Sequence, residues 1–155
     1  MKLMRFYNII LFLLAICLFS LNGYGQTTSK PKPTPATQTV SNSVKSSPAY
    51  AEVLLRKVEL ESDLESLLVS YKDDFPKVKE VKYELSLINK DLQILLGQSD
   101  ASKLTLALGK LMVRKDELET DFWALQAKYG DEHPDVKRAK RKVLSFQTAI
   151  KEILD

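Results

Sequence analysis

The second half of this chain repeats itself. Residues 56–96 align with 114–154 at a constant offset of 58, without a gap, and 14 of the 41 positions are identical. An ungapped repeat means that each copy is one supersecondary unit, because an insertion would shift its packing face. The identities include Arg56/Arg114, Lys57/Lys115, Leu60/Leu118, Leu67/Leu125, Tyr71/Tyr129, Asp73/Asp131, Pro76/Pro134 and Val78/Val136. These are packing and turn residues, with no catalytic set among them.

Within each copy the apolar residues fall at alternating spacings of three and four. Leu60, Leu64, Leu67 and Tyr71 are followed by Val78, Val81, Leu85, Ile88, Leu92 and Leu95; Leu118, Phe122, Leu125 and Tyr129 are followed by Val136, Ala139, Val143, Phe146, Ile150 and Ile153. That spacing is a heptad seam, the pattern of helices that wind around one another. No stretch alternates with period two, so no strand is expected. Each seam is interrupted once. Pro76 and Pro134 fit the first position of a new helix and disfavour helix in the residue before them. Asp73 and Asp131 lie just ahead, where acidic groups suit a helix N-terminus. Gly130 can take a left-handed cap conformation that Lys72 reaches less easily. Gly97 ends the first copy, and Ser99 or Asp100 is the expected cap of the next helix.

Short turns force neighbouring helices to run antiparallel. The expected fold is therefore all-α: two tandem antiparallel helical hairpins, as a coiled coil or a four-helix bundle, spanning 49–155 with repeats at 50–97 and 108–155. Folding each about its turn sets Tyr71 against Val78, Leu67 against Val81, Leu64 against Leu85 and Leu60 against Ile88. The equivalent set in the second copy is Tyr129 with Val136, Leu125 with Ala139, Phe122 with Val143 and Leu118 with Phe146. Leu54, Val58, Leu68, Trp123 and Leu144 lie beside the seams, so a further layer, from the other hairpin or from another chain, is expected to cover them.

The segment ahead of the repeats differs. Lys2 and Arg5 precede an apolar run from Phe6 to Leu21, and Gly23 and Gly25 follow at small-residue spacing before Gln26. A basic start, an apolar core and a small-residue exit read as a secretory signal peptide over 1–25. The rival reading is a retained membrane anchor, since the run is near the lower length limit for spanning a bilayer. Residues 26–48 are rich in Ser, Thr, Lys and Pro, too polar to offset chain entropy, and read as a disordered linker. Without Lys2 and Arg5, 21 basic residues face 20 acidic ones, a formal charge of +1. That near-neutral balance gives no drive toward nucleic acid. The sole cysteine, Cys17, leaves with the signal segment, so no disulfide or thiol chemistry is expected.

The inventory for catalysis is poor. No nucleophile motif, phosphate loop or His/Cys cluster occurs. His133 stands alone, and its counterpart Phe75 points to a ring that packs in a turn; no metal, cofactor or catalytic residue is expected. Lys57 and Lys115 share a seam position, where the stem packs and the amine reaches water or, on the other reading, a buried charge fixes the pairing register. The basic cluster Lys137, Arg138, Lys140, Arg141 and Lys142 opposes the dipole at the start of its helix. It reads as a solvated face balanced by Asp116, Glu117, Glu119 and Asp121, or as a contact for an anionic envelope polymer, lipid or acidic protein partner.

The turn motif of Tyr71, Asp73 and Pro76, repeated as Tyr129, Asp131, His133 and Pro134 with Val136 beyond it, resembles the periplasmic coiled-coil segment of polysaccharide chain-length determinant and exopolysaccharide export proteins. The likeness covers about one hairpin, and the first copy lacks the histidine. It implies a hairpin scaffold in the cell envelope. The expected function is thus a non-catalytic, exported, periplasmic or secreted coiled-coil protein that scaffolds or bridges envelope components, by self-association or through a protein partner. The competing expectations are a periplasmic holdase-type chaperone, which in its known family adds a small β body to its helices, and a membrane-anchored coiled-coil adaptor.

Overall fold

The computed structural model describes residues 42–155, and every regular element among them is helical. Four long helices follow one another: α1 (Pro48–Ser70), α2 (Pro76–Leu96), α3 (Leu106–Tyr129) and α4 (Pro134–Leu154), with a short 3-10 turn (Ala101–Lys103) between α2 and α3. The helical class expected from the three-four spacing is what these residues adopt. The expected signal peptide, and the linker as far as residue 41, lie outside the described residues.

The remainder of the expected linker belongs to the fold. Residues 42–45 are helical and Val44 is fully buried in the core. Ser47 then caps α1, its Oγ accepting a hydrogen bond from the Tyr50 amide at 3.3 Å, and Pro48 takes the first helical position. The polar composition around it concealed this anchor, because one buried valine and one cap suffice to dock a short segment.

The breaks fall where Pro76, Pro134, Gly97 and Gly130 place them. Pro76 and Pro134 open α2 and α4, Gly97 closes α2, and Gly130 closes α3 at φ +76°, the left-handed side of the map. At the matching place Lys72 stays out of that region: α1 stops one residue earlier in its copy and is closed by Tyr71 in extended conformation. Asp100 does not cap α3. It caps the 3-10 turn, accepting from the Ser102 amide at 2.9 Å, and Thr105 caps α3 by accepting from Leu108 at 3.3 Å. The displacement follows from Leu104, which is buried and whose carbonyl accepts from the Ala49 amide at 3.2 Å. Tying that carbonyl to the start of α1 delays α3 by one short turn.

α1 packs against α2, α3 against α4, and α3 also against both α1 and α2. Leu60, Val81, Ile88, Leu92 and Leu95 share one core with Val53, Leu108 and Met112, and Leu64, Leu67 and Leu85 pack onto it. Ile150 joins this core near the end of α4, where Lys103 Nζ donates to the Leu154 carbonyl at 3.0 Å. α3 is therefore the central helix.

α1 and α3 run parallel and very close at their beginnings. A side chain at Gly109 would place its Cβ 2.8 Å from Glu52 Cβ and 3.0 Å from the Ala49 backbone. Only hydrogen fits, and the glycine's weak helix propensity is outweighed by the approach it permits. Gly109→Val is expected to reduce the unfolding free energy by about 1–3 kcal/mol, the range for overpacking a tight contact. Urea denaturation measures it; an unchanged midpoint would mean that α1 and α3 do not meet here.

Candidate functional site

The two turns close with the same bonds. The Phe75 amide donates to the Lys72 carbonyl at 3.0 Å, and the His133 amide to the Gly130 carbonyl at 3.4 Å. In both, the tyrosine stacks on the ring four residues later: Tyr71 on Phe75 at 4.1 Å between centroids, and Tyr129 on His133 at 4.5 Å. Both tyrosines remain exposed. His133 adds what Phe75 cannot. Its Nδ1 accepts from the Asp135 amide at 3.2 Å and caps α4, whereas α2 has no side-chain cap. The two aspartates diverge: Asp73 pairs with Lys82 at 2.9 Å, and Asp131 accepts from Gln126 at 2.5 Å. Because α1 and α3 are parallel, both ring-stacked turns lie toward the same end.

The basic cluster is exposed along the first turns of α4. Lys137 pairs with Glu132 at 2.5 Å, and Arg138 with Asp135. Lys140, Arg141 and Lys142 form no ion pair among the described residues. Two of the four acids expected to balance them are engaged elsewhere. Glu117 pairs with Arg114 at 2.6 Å and approaches Arg56 at 3.9 Å, and Asp116 is buried against Lys115. Asp121 shares a groove with Arg138 and Lys142 but pairs with neither. Asp116 and Glu117 thus turn toward α1 and α2 while the cluster turns outward on α4, and Asp121 remains beside Arg138 and Lys142.

A charged cluster that the spacing did not reveal sits inside the fold. Lys115 Nζ donates to both carboxylate oxygens of Asp91 on α2, at 2.8 and 2.9 Å, and lies 2.8 Å from Asp116 Oδ1. Asp91 is 1% exposed and Asp116 is 0% exposed. Neither Asp116 oxygen accepts an aligned hydrogen bond. Burial and then the charge of Asp91 push the Asp116 carboxyl up to about 7. Burial also raises Asp91, against the pull of Lys115. Burial opposes the Lys115 ammonium, but Asp116 and Asp91 together hold its pKa above the ordinary value. The stem-and-snorkel reading therefore suits Lys57, which is partly exposed and reaches only Glu61 at 3.5 Å, and fails for Lys115. The available signal was an aspartate beside the seam lysine in the second copy alone, where the first has Val58.

Two more contacts tie helices together. Arg56 donates to Glu84 Oε1 through Nε at 2.9 Å and through a terminal nitrogen at 2.6 Å. Tyr83 of α2 stacks on Trp123 of α3 at 5.0 Å, the packing role expected for the tryptophan. These groups hold helices together. Among the described residues no group of three or more His, Cys, Asp or Glu side chains is arranged to hold a metal ion, and no helix is long and apolar enough to cross a membrane. Against known proteins, no family model, no curated protein and no solved structure matches this chain.

Proposed function

We propose that the chain is a non-catalytic, exported scaffold of the bacterial cell envelope, built as two tandem antiparallel hairpins, with the start of α4 as its contact for an anionic envelope polymer. The observation that carries this reading is the set of Lys140, Arg141 and Lys142, three consecutive exposed cations that form no ion pair among the described residues. Consecutive like charges repel one another, so a polyanion lying against α4 relieves that repulsion. The likeness of the turn motif to exopolysaccharide export proteins makes an acidic polysaccharide the preferred partner. The ring-stacked turns and buried ion cluster then serve to stiffen the support on which α4 is displayed.

The test is retention on immobilised polygalacturonate, with anionic lipid vesicles as the alternative surface. Each cation near an anionic surface contributes about 1 kcal/mol, so the triple variant Lys140→Ala, Arg141→Ala, Lys142→Ala is expected to bind on the order of a hundredfold more weakly. The wild-type interaction should also weaken with salt. Equal retention of the two proteins would remove α4 as the contact, and binding to vesicles alone would replace the polysaccharide by a membrane surface.

A further inference from the structure

Asp91, Lys115 and Asp116 set two carboxyl groups on one ammonium inside the fold. The ammonium bonds both Asp91 oxygens, and neither oxygen of the fully buried Asp116 accepts an aligned hydrogen bond. With both acids ionised, two negative charges share one positive charge, and unbalanced charge is costly away from water. The groups around Asp116 do not supply the missing cation. Glu119 faces it from α3 and Tyr83 from α2, and Lys90 acts on Asp91. From α1, Arg56 is bonded to Glu84 and approaches Glu117; from α4, Lys151 lies along the groove that Lys115 lines.

Solvent reaches part of this cluster. A groove between α2, α3 and α4, with Leu87, Ile94, Met112 and Ile150 among its walls, opens onto Asp91 and Lys115. Asp116 is not part of that lining and is 0% exposed. Solvent gains it when α2 and α3 part. Both helices have separate holds on α1: α2 through Arg56 and Glu84, and α3 through the close approach at Gly109. They can therefore part from each other while each stays on α1.

We propose that deprotonation of Asp116 opens the contact between α2 and α3 while the four helices stay formed, so that the cluster acts as a proton-held latch. Opening separates Asp91 and Tyr83 from Lys115 and Trp123 and leaves α4 packed on α3. The latch is independent of the anion contact and stands whether or not α4 holds a polymer.

The test uses Trp123, the only tryptophan of the chain. It stands about two turns along α3 from Asp116. It stacks on Tyr83 of α2 at 5.0 Å, so parting the two helices uncovers it. Its quenching by acrylamide is measured on the full chain from pH 4.5 to pH 8, beside the helical circular dichroism. The closed state holds the Asp116 proton up to about pH 7, and the open state releases it near the ordinary 3.8. Between those values the open-to-closed ratio rises by up to about tenfold per pH unit, and it levels above the upper one. Quenching is expected to rise along that course with the helical signal unchanged. Asp116→Asn should keep its acid-pH quenching throughout, and so should Asp116→Val, which matches Val58 of the first copy. His133→Phe removes the sole histidine, which stacks on Tyr129, and should leave the wild-type rise in place. Wild-type quenching that stays constant with pH, or a rise retained in both Asp116 variants, would overturn the proposal. So would a rise lost with His133→Phe, or one accompanied by loss of helix.

Discussion

Replacing Lys115 with methionine is expected to lower the unfolding free energy by about 3–5 kcal/mol near neutral pH, the range for removing one partner of a buried ion pair. The substitution keeps the stem and removes the ammonium that lies within 2.9 Å of both Asp91 oxygens and 2.8 Å from Asp116. Two buried carboxyl groups then face each other without a countercharge. They recover part of the loss by taking up protons, so the deficit should shrink toward acid pH. The same change at Lys57 is expected to cost less than about 1 kcal/mol, because that amine has only a partly exposed partner one helical turn away. Urea denaturation of both variants measures the contrast. Equal small losses at the two sites would mean that the Lys115 amine is solvated and the buried cluster does not form.

Asp116→Asn is expected to stabilise the protein at pH 8 by about 2–4 kcal/mol and to flatten its pH dependence. The folded carboxyl holds its proton up to about pH 7, whereas an ordinary aspartate releases it near 3.8. Between those values the folded state binds the extra proton, so stability falls as pH rises through that window. The contribution is fully present below the unfolded value and lost above the folded one. Asp91, raised by burial, acts with the same sign, while Glu119 and Tyr83 face the group from α3 and α2. Asparagine matches the protonated acid in shape and leaves Lys115 balanced by Asp91 alone. Urea midpoints from pH 4.5 to pH 8 provide the check: near pH 5 variant and wild type should agree within about 1 kcal/mol, and they should diverge as pH rises. An unchanged slope in the variant would assign the pH dependence to another group.

The helices were legible because their determinants are local. Three-four spacing, Pro76, Pro134, Gly97 and Gly130 act within one or two turns of chain, and each element ends where those residues place it. The start of the fold was not legible, since Val44 and Ser47 lie in a polar stretch whose average composition hides a single buried side chain. The cap of α3 was displaced because Leu104 answers to α1, a contact across 55 residues. The same distinction divides the site. The basic residues of α4 share one helix and could be read from its sequence, but whether acids balance them depends on how α3 and α4 rotate about their axes. Asp91, Lys115 and Asp116 come together only when α2 packs on α3, and a seam read one position at a time contains no term for that meeting.

The docking of the second helix pair on the first depends on chemistry that the second pair does not offer onward. Lys115 is received by Asp91, and Gly109 accepts the close approach of Ala49 and Glu52. Moving 58 residues along from Asp91 reaches Ala149, and from Tyr83, which stacks on Trp123, reaches Arg141. A further unit docked in the same register would bring its seam lysine to a place with no carboxylate. The seat that Asp91 provides thus belongs to α2 and is not repeated on α4; building it there would require Ala149→Asp.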